Sequence, residues 1–249
     1  MNKPFDRVAI FSDIHGNLPA LEAALDDIRR RGIGTIICLG DLVGKGPSGA
    51  EVVDICRKVC DSTVLGNWDA MVAGTHDHPV NVWHRSQLGS ARLAYLRELP
   101  AVTDLLLSGR VVRLFHASQQ GIFHRVHQYG SREAHLAMFD NTAFTGNDSW
   151  PDIVGYGDIH IGYLKSFENK CLFNAGSVGN PLDITEACYA VLEGQVGSTS
   201  PGPWTISLVR VPYDIEESIR QAERSGMPDI EAYKTELRTA RYRGLPAPA

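Results

Sequence analysis

Short apolar runs alternate with amphipathic stretches through the first quarter of the chain. Val8 to Phe11 is too short for a helix and ends at Ser12-Asp13, so it reads as a strand buried on both faces. The next stretch places Leu18, Leu21, Leu25 and Ile28 on one helical face. Asn17 is its candidate N-cap, Pro19 lies in the first turn, and Arg29 to Arg31 precede Gly32 at the end. Thr35 to Leu39 repeats the strand pattern and stops at Gly40-Asp41. Ala50 to Val59 reads as a helix capped near Ser48, and Thr63 to Leu65 leads into Gly66-Asn67. This β-α-β-α-β order predicts parallel strands joined by right-handed crossovers. In such sheets ligands bind beyond the carboxyl ends of the strands. Asp13, His15, Asp41 and Asn67 all fall just past such ends.

From Trp68 to about Pro100 the period is mixed. A helix is expected over Ser86 to Leu99, and the whole segment 68–100 is a candidate cap over the rim. Val111 to Phe115 is a further strand and runs into His116. The following stretch carries His124, Arg125, His127 and Arg132 on loop-like or helical sequence. Ile153 to Tyr156 then leads into Gly157-Asp158-Ile159-His160, so a fifth element ends in polar ligands. Tyr163 to Phe167 and Cys171 to Asn174 flank a turn, as do Ala187 to Leu192 and Trp204 to Val211, and the second half reads as antiparallel. Two helices follow, one marked by Ile215, Ile219 and Ala222 and one by Ile230, Tyr233 and Leu237. A tail over 241–249 is expected to fray, and one domain over 1–249 accommodates all of this.

Composition narrows the function more than the fold. With 24 basic against 29 acidic residues the formal charge is -5, so nothing favours a long nucleic acid as partner. No apolar run is long enough for a signal or a membrane span. Five Cys without Cys-x-x-Cys spacing point to reduced thiols in a cytoplasmic protein.

The candidate ligands are therefore Asp13, His15, Asp41, Asn67, His116, Asp158 and His160. Mixed Asp, Asn and His ligation suits manganese, iron or zinc and is too rich in nitrogen for calcium. The ligand count fits two ions better than one, and paired ions about 3.5–4 Å apart commonly run in-line displacement at phosphorus. Taken singly, Asp13 and Asp41 serve equally well as helix caps, and His116 and His160 as core histidines. It is the ordered set that points to a metal site.

Asp13-Ile-His15-Gly-Asn, Gly40-Asp41-Leu-Val-Gly, Gly66-Asn67-Trp-Asp69, Phe115-His116-Ala-Ser and Gly157-Asp-Ile-His160, closed by Asn174-Ala-Gly-Ser-Val-Gly179, resemble the calcineurin-like metallophosphoesterases. The likeness is greatest to their bacterial and archaeal phosphodiesterase-like branch and spans about residues 7 to 220. The resemblance implies an α/β fold, a sandwich of two mixed β-sheets flanked by helices in four layers. It further implies one metal held by Asp13, His15 and His160, a second by Asn67 and His116, and Asp41 bridging. Asp41, Asn67 and His116 would be catalytic, with a metal-bridging hydroxide attacking phosphorus. Relatives are often dimers or higher, so a homo-oligomer is compatible with the resemblance.

Two positions depart from that pattern. Trp68 stands where the family commonly has a His that assists the leaving group, and an indole releases no proton near neutral pH. Substrates whose leaving group departs without full protonation, a phosphoanhydride or an activated diester, are then favoured over alkyl phosphomonoesters. Asp158 stands where the family commonly has a ligand His. With two divalent ions and a hydroxide, the carboxylates of Asp13, Asp41 and Asp158 bring the site to neutrality. That favours manganese or iron over zinc and leaves room for a third cation. The expected substrate contacts are Asn67, Trp68, His124, Arg125 and His127, and Asp69 is expected to fix the Gly66-Asn67 loop. His76, His78, His84 and His135 read as solvated surface residues. A small phosphorylated substrate, such as a nucleotide, follows. The alternatives are an inactive protein-interaction scaffold on the same fold, as in the retromer subunit that resembles these enzymes, and a nucleotide-binding sensor without turnover.

Overall fold

Val8 and Ile10 of strand β1 (Asp6–Phe11) enter one buried cluster, while Ala9 and Phe11 enter another. Because successive strand residues point to opposite faces, β1 is buried on both sides and divides the two cores. The computed structural model describes residues 5–244. Helix α1 (Leu18–Arg30), β2 (Thr35–Cys38), α2 (Gly49–Val59) and β3 (Ser62–Thr63) complete the expected β-α-β-α-β unit. β1, β2 and β3 pair in parallel. Asn17 caps α1 by accepting from the Ala20 N–H at 3.3 Å, whereas Ser48 makes no side-chain cap bond.

The mixed segment after β3 forms α3 (Asn67–Ala73) and α4 (Pro79–Arg97), the latter kinked at Gly89. α4 starts seven residues before the expected helix (79 against 86) because Pro79 suits a first turn. Trp68, Leu88 and Leu96 pack these helices into the same core as α1 and α2.

Strand β4 (Val102–Leu107), which the apolar pattern did not reveal, begins the second sheet at an edge beside β5 (Arg110–Phe115). Helix α5 (Arg132–Ala137) and β6 (Ile153–Tyr156) follow, then β7 (Tyr163–Phe167) and β8 (Lys170–Asn174). The antiparallel expectation for the second half holds only for its hairpins. β6 pairs in parallel with both β5 and β8, because β7 takes the outer edge and reverses the chain before β8 returns beside β6. Strands β9 (Ala187–Gly194) and β10 (Thr205–Val211) leave that sheet altogether and extend the first one past β1.

Each of the two mixed sheets thus has five strands, ordered β10-β9-β1-β2-β3 and β4-β5-β6-β8-β7. Val8, Ile10, Ile37 and Leu39 from one meet Val112, Leu114, Ile153 and Phe173 from the other. Helices cover the outer faces, and α6 (Ile215–Ser225) and α7 (Ile230–Thr239) pack through Ile219, Ala222, Tyr233 and Leu237. The start of the tail expected to fray is tied down by Arg243, which donates to the buried Glu236 of α7 at 2.8 Å, while 245–249 lie outside the described residues. All five cysteines are free. Among the described residues no helix is long and apolar enough to cross a membrane.

Candidate metal centre

The chain turns sharply past the ends of β1, β2 and β6. Asp13 (φ 55°), His15 (φ 50°), Asp41 (φ 55°), Asp158 (φ 64°) and His160 (φ 60°) all adopt the left-handed conformation that side chains other than glycine seldom take. Each such residue costs on the order of 1–3 kcal/mol and persists only where its surroundings hold it. Here the neighbouring turns do so. The Asp13 N–H donates to the Gly40 carbonyl at 3.0 Å and the His15 N–H to that of Asp41 at 2.9 Å. The Asp13 carbonyl accepts from the Gly179 N–H at 3.0 Å and the Ser177 hydroxyl at 2.7 Å. Gly179 passes so close that a Cβ there would lie 1.7 Å from the Ile14 carbonyl oxygen.

Three imidazoles are oriented in the same way. Nδ1 of His15 meets the Val43 carbonyl at 3.1 Å, that of His116 the Leu39 carbonyl at 2.7 Å, and that of His160 the Asn180 carbonyl at 2.6 Å. Donating Nδ1–H to a carbonyl leaves a lone pair on each Nε2, the usual state of a metal-ligating histidine. The Nε2 atoms of His15 and His160 lie 3.1 Å apart, and His160 Nε2 is 3.3 Å from Asp13 Oδ1. Asp41 Oδ2 lies near the rings of both His15 and His116, 3.7 Å from His15 Nε2 and 3.5 Å from His116 Nε2.

Two groups of ligand atoms result, Asp13-His15-His160 and Asp13-Asp41-His116, with Asp13 common to both. Among the described residues Asp13 Oδ1, Asn67 Oδ1 and His116 Nε2 are buried without a hydrogen-bond partner, and each is an atom that would face a cation. The residues present therefore fit a metal.

The electrostatics agree. Burial holds the His15 imidazole well below its ordinary value, so it is a neutral ligand. Burial pushes the Asp13 carboxyl up, but His160, His116 and His15 together outweigh it and hold it below the usual carboxylate range. Burial also opposes charge on His116, yet Asp41, Asp13 and Asp158 raise it well above the ordinary imidazole value. The direction of that shift reflects the buried carboxylates gathered around the His116 ring, negative charge that a cation would offset.

Asp69 fixes the loop, as expected, and ties it to β2. Its carboxylate accepts from the N–H groups of Asp41 at 2.8 Å, Leu42 at 2.9 Å and Gly66 at 3.2 Å. A cavity of about 830 Å³ opens beside the cluster, with Asp158 and His160 in its wall. Arg125 and His127 line it too, whereas His124 is exposed outside it. His84 and His135 are not solvated but buried, and burial holds His84 down at about 4.

A profile described as the calcineurin-like phosphoesterase superfamily domain matches residues 7–196. This chain belongs to that superfamily. Metal-dependent hydrolysis of phosphoesters is the activity that goes with membership. An uncharacterized protein of Methanocaldococcus jannaschii is 29% identical over 252 residues, covering 89% of this chain and 94% of its own length. The crystal structure of a metallophosphoesterase from Sphaerobacter thermophilus is similar at a TM-score of 0.74 and 27% identity, covering 95% of this chain and 99% of that one. A hypothetical protein from Pyrococcus horikoshii shares the fold at a TM-score of 0.73 and 16% identity, covering 96% and 99%.

The two departures from the calcineurin-like pattern are resolved differently. Trp68 donates its main-chain N–H to Asp41 Oδ1 at 2.8 Å, while its half-buried indole stands edge-on to the His15 ring at 5.9 Å. The indole packs the wall of the cluster and does not line the cavity. Asp158 is held by Arg125 through both carboxylate oxygens, at 2.7 and 2.8 Å, and by Asn67 Nδ2 at 2.9 Å. Its Oδ1 lies 3.9 Å from His116 Nε2. Arg125 thus places a positive charge directly against Asp158. Arg125, expected near phosphate, instead pairs with Asp158, a contact its sequence context does not signal. Lys45, also in the cavity wall, was not among the expected residues, and its place inside Gly44-Lys45-Gly46 directly after the Asp41 turn is the signal the sequence offers for it.

Proposed function

We propose that the chain is a dinuclear phosphoesterase acting on phosphodiesters or nucleotide phosphoanhydrides, with manganese or iron the favoured ions and zinc compatible. One observation carries this reading: three imidazoles locked through Nδ1 turn their Nε2 atoms toward two buried carboxylates and an unpartnered Asn67 oxygen. Asp13, His15 and His160 would hold one ion and Asn67 and His116 the other, with Asp41 between them. Bound ions supply Lewis acidity at the phosphoryl oxygens and an activated water.

The chain's own residues set the rest. Asp69 and the Trp68 N–H fix Asp41 from two sides, so the ligand frame is formed before substrate arrives. The Trp68 indole offers no acid to the leaving group, which supports substrates that leave as stable anions. Five free cysteines and the net charge support a cytoplasmic enzyme acting on small phosphorylated molecules. The complete ligand set speaks against the scaffold reading, since a protein-interaction surface needs no converging buried imidazoles.

The test is a substrate panel with manganese, iron, zinc and magnesium, run beside elemental analysis of unsupplemented protein. Turnover of bis-p-nitrophenyl phosphate or a nucleoside polyphosphate is expected, abolished in Asp41→Asn. Intact substrates throughout, with no effect of Asp41→Asn, would falsify the reading.

A further inference from the structure

Two features of the cavity beside the cluster are not explained by folding. Tyr129 is 90% and Tyr242 48% exposed where they line it. Aromatic faces left open around a concave site are surfaces that a flat apolar ligand covers. The second feature is Lys45, which lines the same cavity in a left-handed conformation (φ 59°) with its side chain only 9% exposed.

The Lys45 ammonium donates to Asn180 Oδ1 at 2.6 Å and to Glu236 Oε2 at 3.4 Å. An ammonium carries three hydrogens, and these two bonds use two of them. Glu236 is fully buried and also accepts from Arg243 at 2.8 and 3.1 Å. The Lys45 ammonium and the Arg243 guanidinium therefore share the Glu236 carboxylate, and Arg243 is also paired with Asp229 at 3.5 Å, so Glu236 is not the exclusive partner of Lys45. Asn180 joins it to the metal cluster, because its carbonyl meets His160 Nδ1 and its amide donates to Glu236 at 3.1 Å. Lys45 is thus held at a fixed place relative to a metal ligand.

We propose that Lys45 binds a second anionic group of the substrate, beyond the phosphate at the cluster, while Tyr129 and Tyr242 cover a flat apolar part. The inference rests on the phosphoesterase reading and narrows it to substrates built like a nucleoside diphosphate unit, an aromatic ring joined to adjacent anionic groups.

Calorimetric titration of ADP and of adenosine tests this on the full chain, with manganese and again with excess EDTA. Wild type, Lys45→Met, Lys45→Arg and Tyr242→Leu are compared, with circular dichroism as the folding control. Lys45→Met is expected to weaken ADP about tenfold and adenosine less than about twofold, with Lys45→Arg recovering part of the loss. Tyr242→Leu weakens both ligands about fivefold or more. Equal losses for ADP and adenosine in Lys45→Met, or no loss, overturn the proposal. Should that variant not fold, wild type in EDTA decides: ADP binding about tenfold tighter than adenosine supports the proposal, and equal affinities overturn it. Absent selectivity in a protein that hydrolyses bis-p-nitrophenyl phosphate removes this inference alone. Selective ADP binding through Lys45 in a protein that hydrolyses nothing removes only the proposed activity.

Discussion

Arg125 grips Asp158 end to end, with Nε 2.7 Å from Oδ2 and Nη2 2.8 Å from Oδ1. Two parallel charge-assisted bonds fix both the position and the plane of the carboxylate, which a single point charge does not do. Since Asn67 Nδ2 binds the same Oδ1, the pair also sets which way the Asn67 oxygen faces. Arg125→Ala should therefore lower kcat/KM for bis-p-nitrophenyl phosphate by about ten- to a hundredfold, and Arg125→Lys should restore little of it. Unchanged kinetics in both variants would show that Asp158 needs no countercharge.

Gly66 lies against the proposed bridging carboxylate. A Cβ at that position would stand 2.1 Å from Asp41 Oδ1 and 2.2 Å from the Asp41 nitrogen. Gly66→Ala is expected to displace Asp41 and cost about 1–3 kcal/mol of stability. Elemental analysis should find less bound metal than in wild type, and urea unfolding should find a lower midpoint. Full metal content at unchanged stability would mean that the loop gives way without moving the ligand.

Removal of metal should destabilise the fold, because Asp13 Oδ1, Asn67 Oδ1 and His116 Nε2 then lack any partner. At a hundredfold excess over its dissociation constant an ion contributes about 2.7 kcal/mol, or about 5–10 °C in melting temperature for a chain of this size. Chelation should remove that increment from wild type and remove less from His116→Asn. Identical melting curves with and without chelator would contradict the assignment of these atoms.

Glu236 provides a pH test away from the cluster. Burial pushes its carboxyl up, but Arg243 and Lys45 outweigh burial and hold it down from 4.5 to about 2. A carboxyl lowered on folding stabilises the native state above its unfolded value, and that contribution fades as pH falls toward the folded one. A shift of this size is worth about 3 kcal/mol. Wild type should exceed Glu236→Gln in stability at pH 6, and the gap should close between pH 4.5 and about 2. A gap independent of pH over that window would show that the carboxylate's charge contributes nothing.

The frame of candidate ligands was largely legible in the sequence. Val8 to Phe11 and Ile153 to Tyr156 announce buried strands. The polar residues after β1, β2 and β3 fall at one end of the first sheet because those strands pair in parallel, and those after β5 and β6 fall at one end of the second for the same reason. β4 was missed because Val102–Leu107 is a half-exposed edge strand with no clean apolar run. The parallel pairing of β6 with β8 was missed because two consecutive strands form a hairpin locally whichever neighbour they find later.

The β-α-β-α-β core, the order of the candidate ligand residues and the family were readable from the sequence alone, since each depends on burial and turn chemistry within a few neighbouring residues. Only the tertiary structure decided what those residues meet. Arg125 reaches Asp158 across 33 positions and Lys45 reaches Glu236 across 191, and no periodicity reports contacts of that separation. The charge of the site and the chemistry of its cavity come from such pairings, which exist only once the two sheets and the C-terminal helix have closed on one another.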